Sequence, residues 1–277
     1  MRVDQALALS QSLEPFSESA RLDVELILCH VLTKHRTYLY TWPDAELTPQ
    51  QACEFKTLLQ RRLQGEPVAH LIGKRGFWTL DLEVSKDTLI PRPETELLVE
   101  WVLDNFPQNG LRLADLGTGT GAIALALASE KPHWDIEATE LNPAAVALAR
   151  RNAQRLALDH VKILEGSWCD PLTGHYDLLV SNPPYIDPSH PCLNEGDLRY
   201  EPLTALISEK QGMQDILTII QQSLNYLKPS AWLVFEHGYD QGEAVRVAMK
   251  KAGFIHCFTH QDLNGHDRIS GGCLGGE

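Results

Sequence analysis

The apolar positions of this chain change their period along its length. Val24, Ile27, Leu28, Val31 and Leu32 recur at intervals of three and four, which is one face of a helix. Ala52, Phe55, Leu59 and Leu63 make a second stripe of the same kind. Thr48 is placed to cap it, Pro49 suits its first turn and Gln51 completes a capping box. Gly65 stands where a left-handed residue would stop that helix. These stripes predict a small helical bundle over residues 1–75, with no chemistry visible in it. Near Gly76 the period becomes two, with Leu80, Leu82 and Val84 alternating with Asp81 and Glu83. Ile90-Pro91-Arg92-Pro93 then interrupts, so residues 76–90 read as an extended connector or hairpin.

The third region, 91–277, alternates strand and helix patterns. Apolar runs fall at 111–116, 136–141, 161–164, 176–180, 231–235 and 254–258. Helix-like segments lie between them at 122–129, 143–158, 213–227 and 243–252. The pattern predicts an α/β fold, a mostly parallel, doubly wound sheet with helices on both faces. No run of 18 apolar residues is present, and the first 15 residues lack a signal-peptide pattern, so a soluble cytoplasmic protein is expected, with no membrane attachment. The six cysteines are scattered with no C-x-x-C pair, so neither a zinc site nor a disulfide framework is expected.

Charge narrows the choice of partner. Residues 1–75 hold nine basic and nine acidic side chains, so the remainder carries the whole net charge of −13. Proteins that grip nucleic acid usually present a basic face, because phosphate neutralisation supplies most non-specific affinity. This balance disfavours nucleic acid as a partner.

Two segments carry candidate chemistry. Asp115-Leu116-Gly117-Thr118-Gly119-Thr120-Gly121 closes a strand and opens an apolar helix. Glycines at alternate positions allow a tight turn and a close approach of ligand to backbone, and the amides at the helix start can receive a polar group. The spacing is G-x-G-x-G, not the dinucleotide G-x-G-x-x-G. Glu140 ends the next apolar run, 19 positions after Gly121, where a carboxylate can accept from two ribose hydroxyls. A ribose-bearing ligand without a pyrophosphate is implied. The bland alternatives are a tight strand-to-helix turn and a solvated charge at a strand end.

Asn182-Pro183-Pro184-Tyr185 follows the apolar run at 176–180. Its strand should neighbour the first one, placing Asn182 beside the glycine loop, because ligands of open α/β sheets sit at the carboxyl ends of strands. The prolines fix φ and remove N–H donors, leaving carbonyl acceptors on a stiff turn. An amide nitrogen is a poor nucleophile. The Asn182 side chain and the Pro183 carbonyl can each accept one N–H of a planar NH2 group and stabilise charge developing on it. The Tyr185 ring can stack on that group. No metal and no covalent nucleophile is required. The alternative is a proline-rich turn with an Asn cap.

Taken together, the glycine loop and Glu140 resemble the first two motifs of the class I S-adenosylmethionine methyltransferases. With Asn182 to Tyr185 added, the chain resembles the branch that methylates amino and amide nitrogens. Gly65-Glu66-Pro67-Val68-Ala69-His70-Leu71-Ile72-Gly73, Phe77-Trp78, Leu89-Ile90-Pro91-Arg92-Pro93-Glu94-Thr95-Glu96, Glu201-Pro202-Leu203-Thr204-Ala205-Leu206 and Phe235-Glu236-His237-Gly238 look like segments of one family in that branch, the release factor glutamine methyltransferases, also called PrmC or HemK. The resemblance covers essentially the whole chain. It implies a Rossmann-like catalytic domain behind a helical domain that contacts the release factor, and S-adenosyl-L-methionine as cofactor. It implies the glutamine of a Gly-Gly-Gln loop as acceptor, in a protein expected to be monomeric. Gly117, Thr118, Gly119, Thr120, Gly121, Glu140, Trp168 and Asn182 would hold the cofactor, and Asn182, Pro183, Pro184 and Tyr185 would cradle the glutamine. Ser167 and Glu140 stand where the family often has Asp. His237 is a tempting base, but a packed histidine is the expected reading. The segment 267–273 departs from the family's usual last strand, and the glycine-rich stretch 271–277 is expected to fray. Two other readings remain open at this stage: a nucleobase amino methyltransferase, and a non-catalytic cofactor-binding module.

Overall fold

The structure is a computed structural model that describes residues 1–275. The chain divides into two compact units: residues 1–74 with 194–200, and residues 75–193 with the chain from 201 onward.

The first unit is helical. Helices Ala20–Leu32 and Pro49–Leu63 bury Val24, Ile27, Leu28, Phe55 and Leu59 against one another and Leu39, the faces expected from the periodicity. The capping box forms: Thr48 Oγ1 accepts from the Gln51 amide at 3.2 Å, and the Thr48 amide donates to Gln51 Oε1 at 3.0 Å. Gly65, at φ +96°, ends this helix. Two carboxylates are buried inside the unit and paired. Glu25 receives Arg21 and Arg36, and Asp23 receives Arg62 Nε at 2.8 Å. Arg62 also reaches Asp197 Oδ1 at 3.2 Å, and the Tyr200 hydroxyl donates to the Gln64 carbonyl at 2.7 Å. Those bonds bring residues 194–200 into this unit, a membership that nothing in the sequence pattern announced.

In the second unit, β1 (Lys74–Phe77) and β2 (Leu80–Glu83) form a two-stranded sheet. A seven-stranded sheet follows, made of β3 (Arg112–Leu116), β4 (Asp135–Glu140), β5 (Lys162–Glu165), β6 (Tyr176–Ser181), β7 (Leu227–Glu236), β8 (Phe254–Gln261) and β9 (Asp267–Leu274), in the order β5-β4-β3-β6-β7-β9-β8. Strands β3 to β7 run parallel, while β9 is antiparallel to both β7 and β8. Leu113, Leu178, Val180 and Val234 pack beneath helices Glu96–Asn105 and Ala122–Glu130. The alternate residues Ala114, Leu116, Leu179, Leu233 and Phe235 face helices Gln214–Ser223 and Gly242–Lys251. This is the doubly wound class I methyltransferase architecture.

Register sets the site. Leu116 lies opposite Ser181, and Ser181 opposite Phe235, so β3, β6 and β7 end together. The loops that leave them therefore open on one edge of the sheet.

Two elements were not expected. Helix Glu96–Asn105 follows the proline-rich interruption directly. The first part of the stretch expected to fray, 271–274, is instead the end of β9 (Asp267–Leu274), which is buried through Ile269, Ser270, Gly271, Gly272 and Cys273. A side chain at Gly271 would approach the Leu233 carbonyl to 2.9 Å and the Phe258 ring to 2.8 Å, so bare backbone is what fits between β7 and β8. Gly276 and Glu277, the end of the stretch expected to fray, lie outside the described residues. No helix among the described residues is long and apolar enough to cross a membrane.

Candidate active site

The glycine loop leaves β3 and is fastened to the end of β4. The amides of Gly117 and Thr118 donate to the Thr139 carbonyl at 2.9 and 3.0 Å. The Gly119 amide donates to Glu140 Oε2 at 2.9 Å, and Glu140 Oε1 accepts from the Asn142 amide at 2.9 Å. Gly117, Gly119 and Gly121 have φ of +75°, +57° and +88°, the left-handed region that favours glycine. Their surroundings differ. A Cβ on Gly117 would lie 2.8 Å from Trp168 Cζ3, one on Gly121 would lie 2.9 Å from Leu125 Cδ1, and one on Gly119 would meet no atom within 4 Å. Gly119 therefore opens onto free space, and Gly121 serves the helix start.

Asp115 lies beneath this loop and is fully buried. Its Oδ2 accepts from Thr118 Oγ1 at 2.6 Å and from the Ala124 amide at 3.2 Å. Burial pushes its carboxyl up to about 7 against those two donors. Its Oδ1 has no partner among the described residues.

The second loop leaves β6. Asn182 Nδ2 donates to Thr95 Oγ1 at 3.1 Å. The Tyr185 hydroxyl donates to Glu236 Oε1 at 3.2 Å, and the Tyr185 carbonyl accepts from Gln241 Nε2 at 3.0 Å. The Ile186 amide donates to the Leu206 carbonyl at 2.9 Å. Burial raises the Tyr185 phenol and the Glu236 carboxyl, each disfavoured in its charged form.

One cavity of about 710 Å³ joins the two loops. Gly117, Thr118, Gly119, Thr120, Glu140, Trp168, Asn182 and Pro184 line it. Gly121, Pro183 and Tyr185 do not: Pro183 is buried, and Tyr185 turns its hydroxyl to Glu236. The Tyr185 ring is thus not displayed in the cavity as stacking would require. Ser167 lines the cavity too. His237 does not. It is fully buried, its Nδ1 donates to the Gly238 carbonyl at 2.8 Å and its Nε2 faces Ser270 Oγ at 2.8 Å, the packed histidine expected.

Sequence reading missed Thr95 and Arg92, which also line the cavity. Arg92 is held by the buried carboxylate of Glu201, which accepts from the Ile90 amide through its other oxygen at 2.9 Å. A signal existed in the run from Leu89 to Glu96 and in Glu201, which resembled family segments without suggesting that they bind each other.

Comparison with known proteins bears on this geometry. A family profile described as PrmC N-terminal domain matches residues 7–73, and one described as methyltransferase small domain matches residues 93–193. The release factor glutamine methyltransferase of Yersinia pestis is 47% identical over 98% of this chain and 98% of that protein. That of Escherichia coli (strain K12) is 49% identical over 92% of each. That of Vibrio cholerae serotype O1 is 48% identical over 95% of this chain and 93% of that protein. The chain belongs to the release factor glutamine methyltransferase family. It is accordingly an S-adenosylmethionine-dependent methyltransferase. Among solved structures, the hMettl16 catalytic domain in complex with MAT2A 3'UTR hairpin 1 aligns with TM-score 0.59 at 17% identity, over 89% of this chain and 90% of that one. A methyltransferase from Pyrococcus furiosus aligns at 0.56 and 18%, over 79% of this chain and 99% of that one. At such identities the likeness shows the fold alone. The cavity suits the family's cofactor: it is large enough, Gly119 leaves backbone exposed where a ligand can approach, and Glu140 and Trp168 stand in its wall.

Proposed function

We propose that this enzyme methylates the side-chain amide nitrogen of the glutamine in the Gly-Gly-Gln motif of peptide chain release factors. The observation that supports it best is the state of the Asn182 amide. Its nitrogen gives one of its two N–H groups to Thr95 Oγ1, and its oxygen accepts from no described residue, so that oxygen is available to accept from a partner. A wall that presents an acceptor suits a donor such as an amide NH2, and it lies in the same cavity as the glycine loop.

In this reading the backbone of Gly117 to Thr120 cradles the cofactor, Glu140 accepts from its ribose hydroxyls and Trp168 flanks its adenine. Gly121 shapes the turn. S-adenosylmethionine, when bound, supplies an activated methyl group. Asn182 Oδ1 and the Pro183 carbonyl each take one N–H of the glutamine, holding the nitrogen in place and stabilising positive charge as it develops there. Pro184 walls the acceptor side. Tyr185 acts through its hydroxyl as the anchor of the loop, in place of the stacking role expected from sequence. The proton lost from nitrogen goes to water. The helical unit recognises the release factor body, and the enzyme works as a cytoplasmic monomer without nucleic acid.

The test is incubation of the full chain with isotopically labelled S-adenosylmethionine and either a release factor or total RNA and DNA. Peptide mass mapping should place one added methyl on the Gly-Gly-Gln glutamine. Label found only in nucleic acid would overturn the proposal in favour of a nucleobase amino group.

A further inference from the structure

The two ends of a buried amide can be told apart when its partners can play only one part each. A backbone carbonyl only accepts, and a backbone N–H only donates. Gln241 meets both kinds. It is 8% exposed and stands at the start of helix Gly242–Lys251. Its Nε2 donates to the Tyr185 carbonyl at 3.0 Å and to the Gln211 carbonyl at 3.1 Å. Its Oε1 accepts from the Gly238 amide at 2.9 Å. Reversing the amide would set its oxygen against two carbonyls and its NH2 against an N–H. The side chain therefore has one way to sit, and both amide hydrogens are used in it.

The three bonds end on three loops. Tyr185 closes the turn after β6, Gly238 follows β7, and Gln211 belongs to a turn over 210–212. That turn is left-handed throughout, with φ of +56° at Lys210, +58° at Gln211 and +79° at Gly212. For Lys210 and Gln211 this is a costly conformation, which persists where the surroundings impose it. Gly212 shows how close those surroundings are. A Cβ there would lie 2.0 Å from the Tyr185 carbonyl oxygen and 2.5 Å from Gln241 Nε2. The turn is pressed against the back of the acceptor loop, and Gln241 joins the two. Ile186 continues the seam: its amide donates to the Leu206 carbonyl and its carbonyl accepts from the Ser208 amide, both at 2.9 Å. Leu203, Thr204, Ala205 and Ile207 of that segment line the cavity together with Asn182 and Pro184. Gln241 itself does not line it.

We infer that Gln241 is a positioning residue whose amide locks the loop 182–185 to the segment 203–212. The acceptors of the one and the wall made by the other then face the glutamine as a single rigid frame. This inference rests on the proposed roles of Asn182 and Pro183.

The test uses the full-length enzyme, with active sites counted by S-adenosylmethionine binding in calorimetry, so that unfolded protein does not enter the rate. Gln241→Met keeps the length of the side chain and removes all three bonds. It should lower the single-turnover rate of methyl transfer to a purified release factor about tenfold per active site, with the S-adenosylmethionine Kd unchanged. Gly212→Ala pushes on the same Tyr185 carbonyl. Combined with Gln241→Met it should cost less than the product of the two single losses, because both loosen one joint. A merely structural role would lower the melting temperature and the number of active sites while each remaining site kept the wild-type rate. That result would overturn the inference, as would single losses that multiply, or a Kd that rises in step with the loss of rate. If Gln241→Met does not fold, Gln241→Glu, which keeps the shape but cannot give both bonds, is read in the same way. Asn182→Ala separates the two levels: full turnover there removes the Asn182 reading itself, whereas a dead Asn182→Ala beside a wild-type rate per site in Gln241→Met removes only the clamp.

Discussion

The glycine loop and the Asn-Pro-Pro-Tyr loop leave neighbouring strands at the same level, but they are held in different ways. The glycine loop is fastened from nearby in sequence: Thr118 to Asp115, Gly119 to Glu140, and two amides to Thr139. Its shape depends on missing side chains. The second loop is stiff by itself, yet its aim is set from far away, by Thr95 on Asn182, Glu236 on the Tyr185 hydroxyl and Gln241 on the Tyr185 carbonyl. A loop that binds a constant ligand can be encoded as a local motif. A loop that must present one acceptor in one direction draws on the surrounding fold.

If that contrast holds, variants on the two loops should fail differently. The largest effect is expected for Asn182→Ala, with kcat falling on the order of 10²- to 10³-fold, as when one preorganised group is removed from a reacting centre. Single-turnover methyl transfer measures it, and S-adenosylmethionine affinity should fall far less. Gly117→Ala should do the reverse. Its φ of +75° strains any side chain, and the new Cβ would strike Trp168, so cofactor affinity should drop at least about tenfold by calorimetry, along with the melting temperature. Glu140→Gln should weaken the cofactor by about tenfold while kcat at saturation stays put, because one charged acceptor becomes neutral. Equal losses in kcat and affinity from all three would erase the contrast. Tyr185→Phe should lower kcat only about threefold, since the Gln241 bond to the carbonyl survives the loss of one neutral anchor.

The mildest test concerns the buried acid under the glycine loop. Asp115 is raised from an ordinary 3.8 to about 7 by burial. Between those values the folded protein keeps a proton there that the unfolded chain has lost, so stability falls as pH rises through the window, levelling off above about 7. Urea unfolding of the ligand-free enzyme at pH 4, 5.5 and 7 should show that decline. Asp115→Asn should flatten its share of it, leaving whatever Glu236 contributes. Parallel curves for the two proteins would contradict the assignment.

These differences also explain what was legible beforehand. The stripes over 24–32 and 52–63 and the strand runs of the parallel sheet follow from periodicity, and the helix cap expected at Thr48 forms. Gly117 to Thr120, Glu140, Trp168, Asn182 and Pro184 meet in one cavity, because strand order at a sheet's switch point brings such loops together. Thr95 and Glu236 were quoted only as parts of resembling segments. Their importance depends on contacts across 87 and 51 positions of sequence, which no local pattern displays. The end of β9 was read as frayed for another reason: Gly271 and Gly272 have poor strand propensity, and what favours them is crowding, by the Phe258 ring and the Leu233 carbonyl at Gly271 and by Cys257 and Phe254 at Gly272.

That late strand has a consequence for assembly. Among the described residues β8 is hydrogen-bonded to no strand except β9, and β9 comes after it in the chain. During synthesis the five parallel strands can zip together in the order they emerge, while β8 must wait, unpartnered, for its successor to slide in beside β7. Because Ser270, on that successor, is also the partner of His237, the rim behind Glu236 is completed only when this final piece arrives, and newly made enzyme should acquire its activity in one late step.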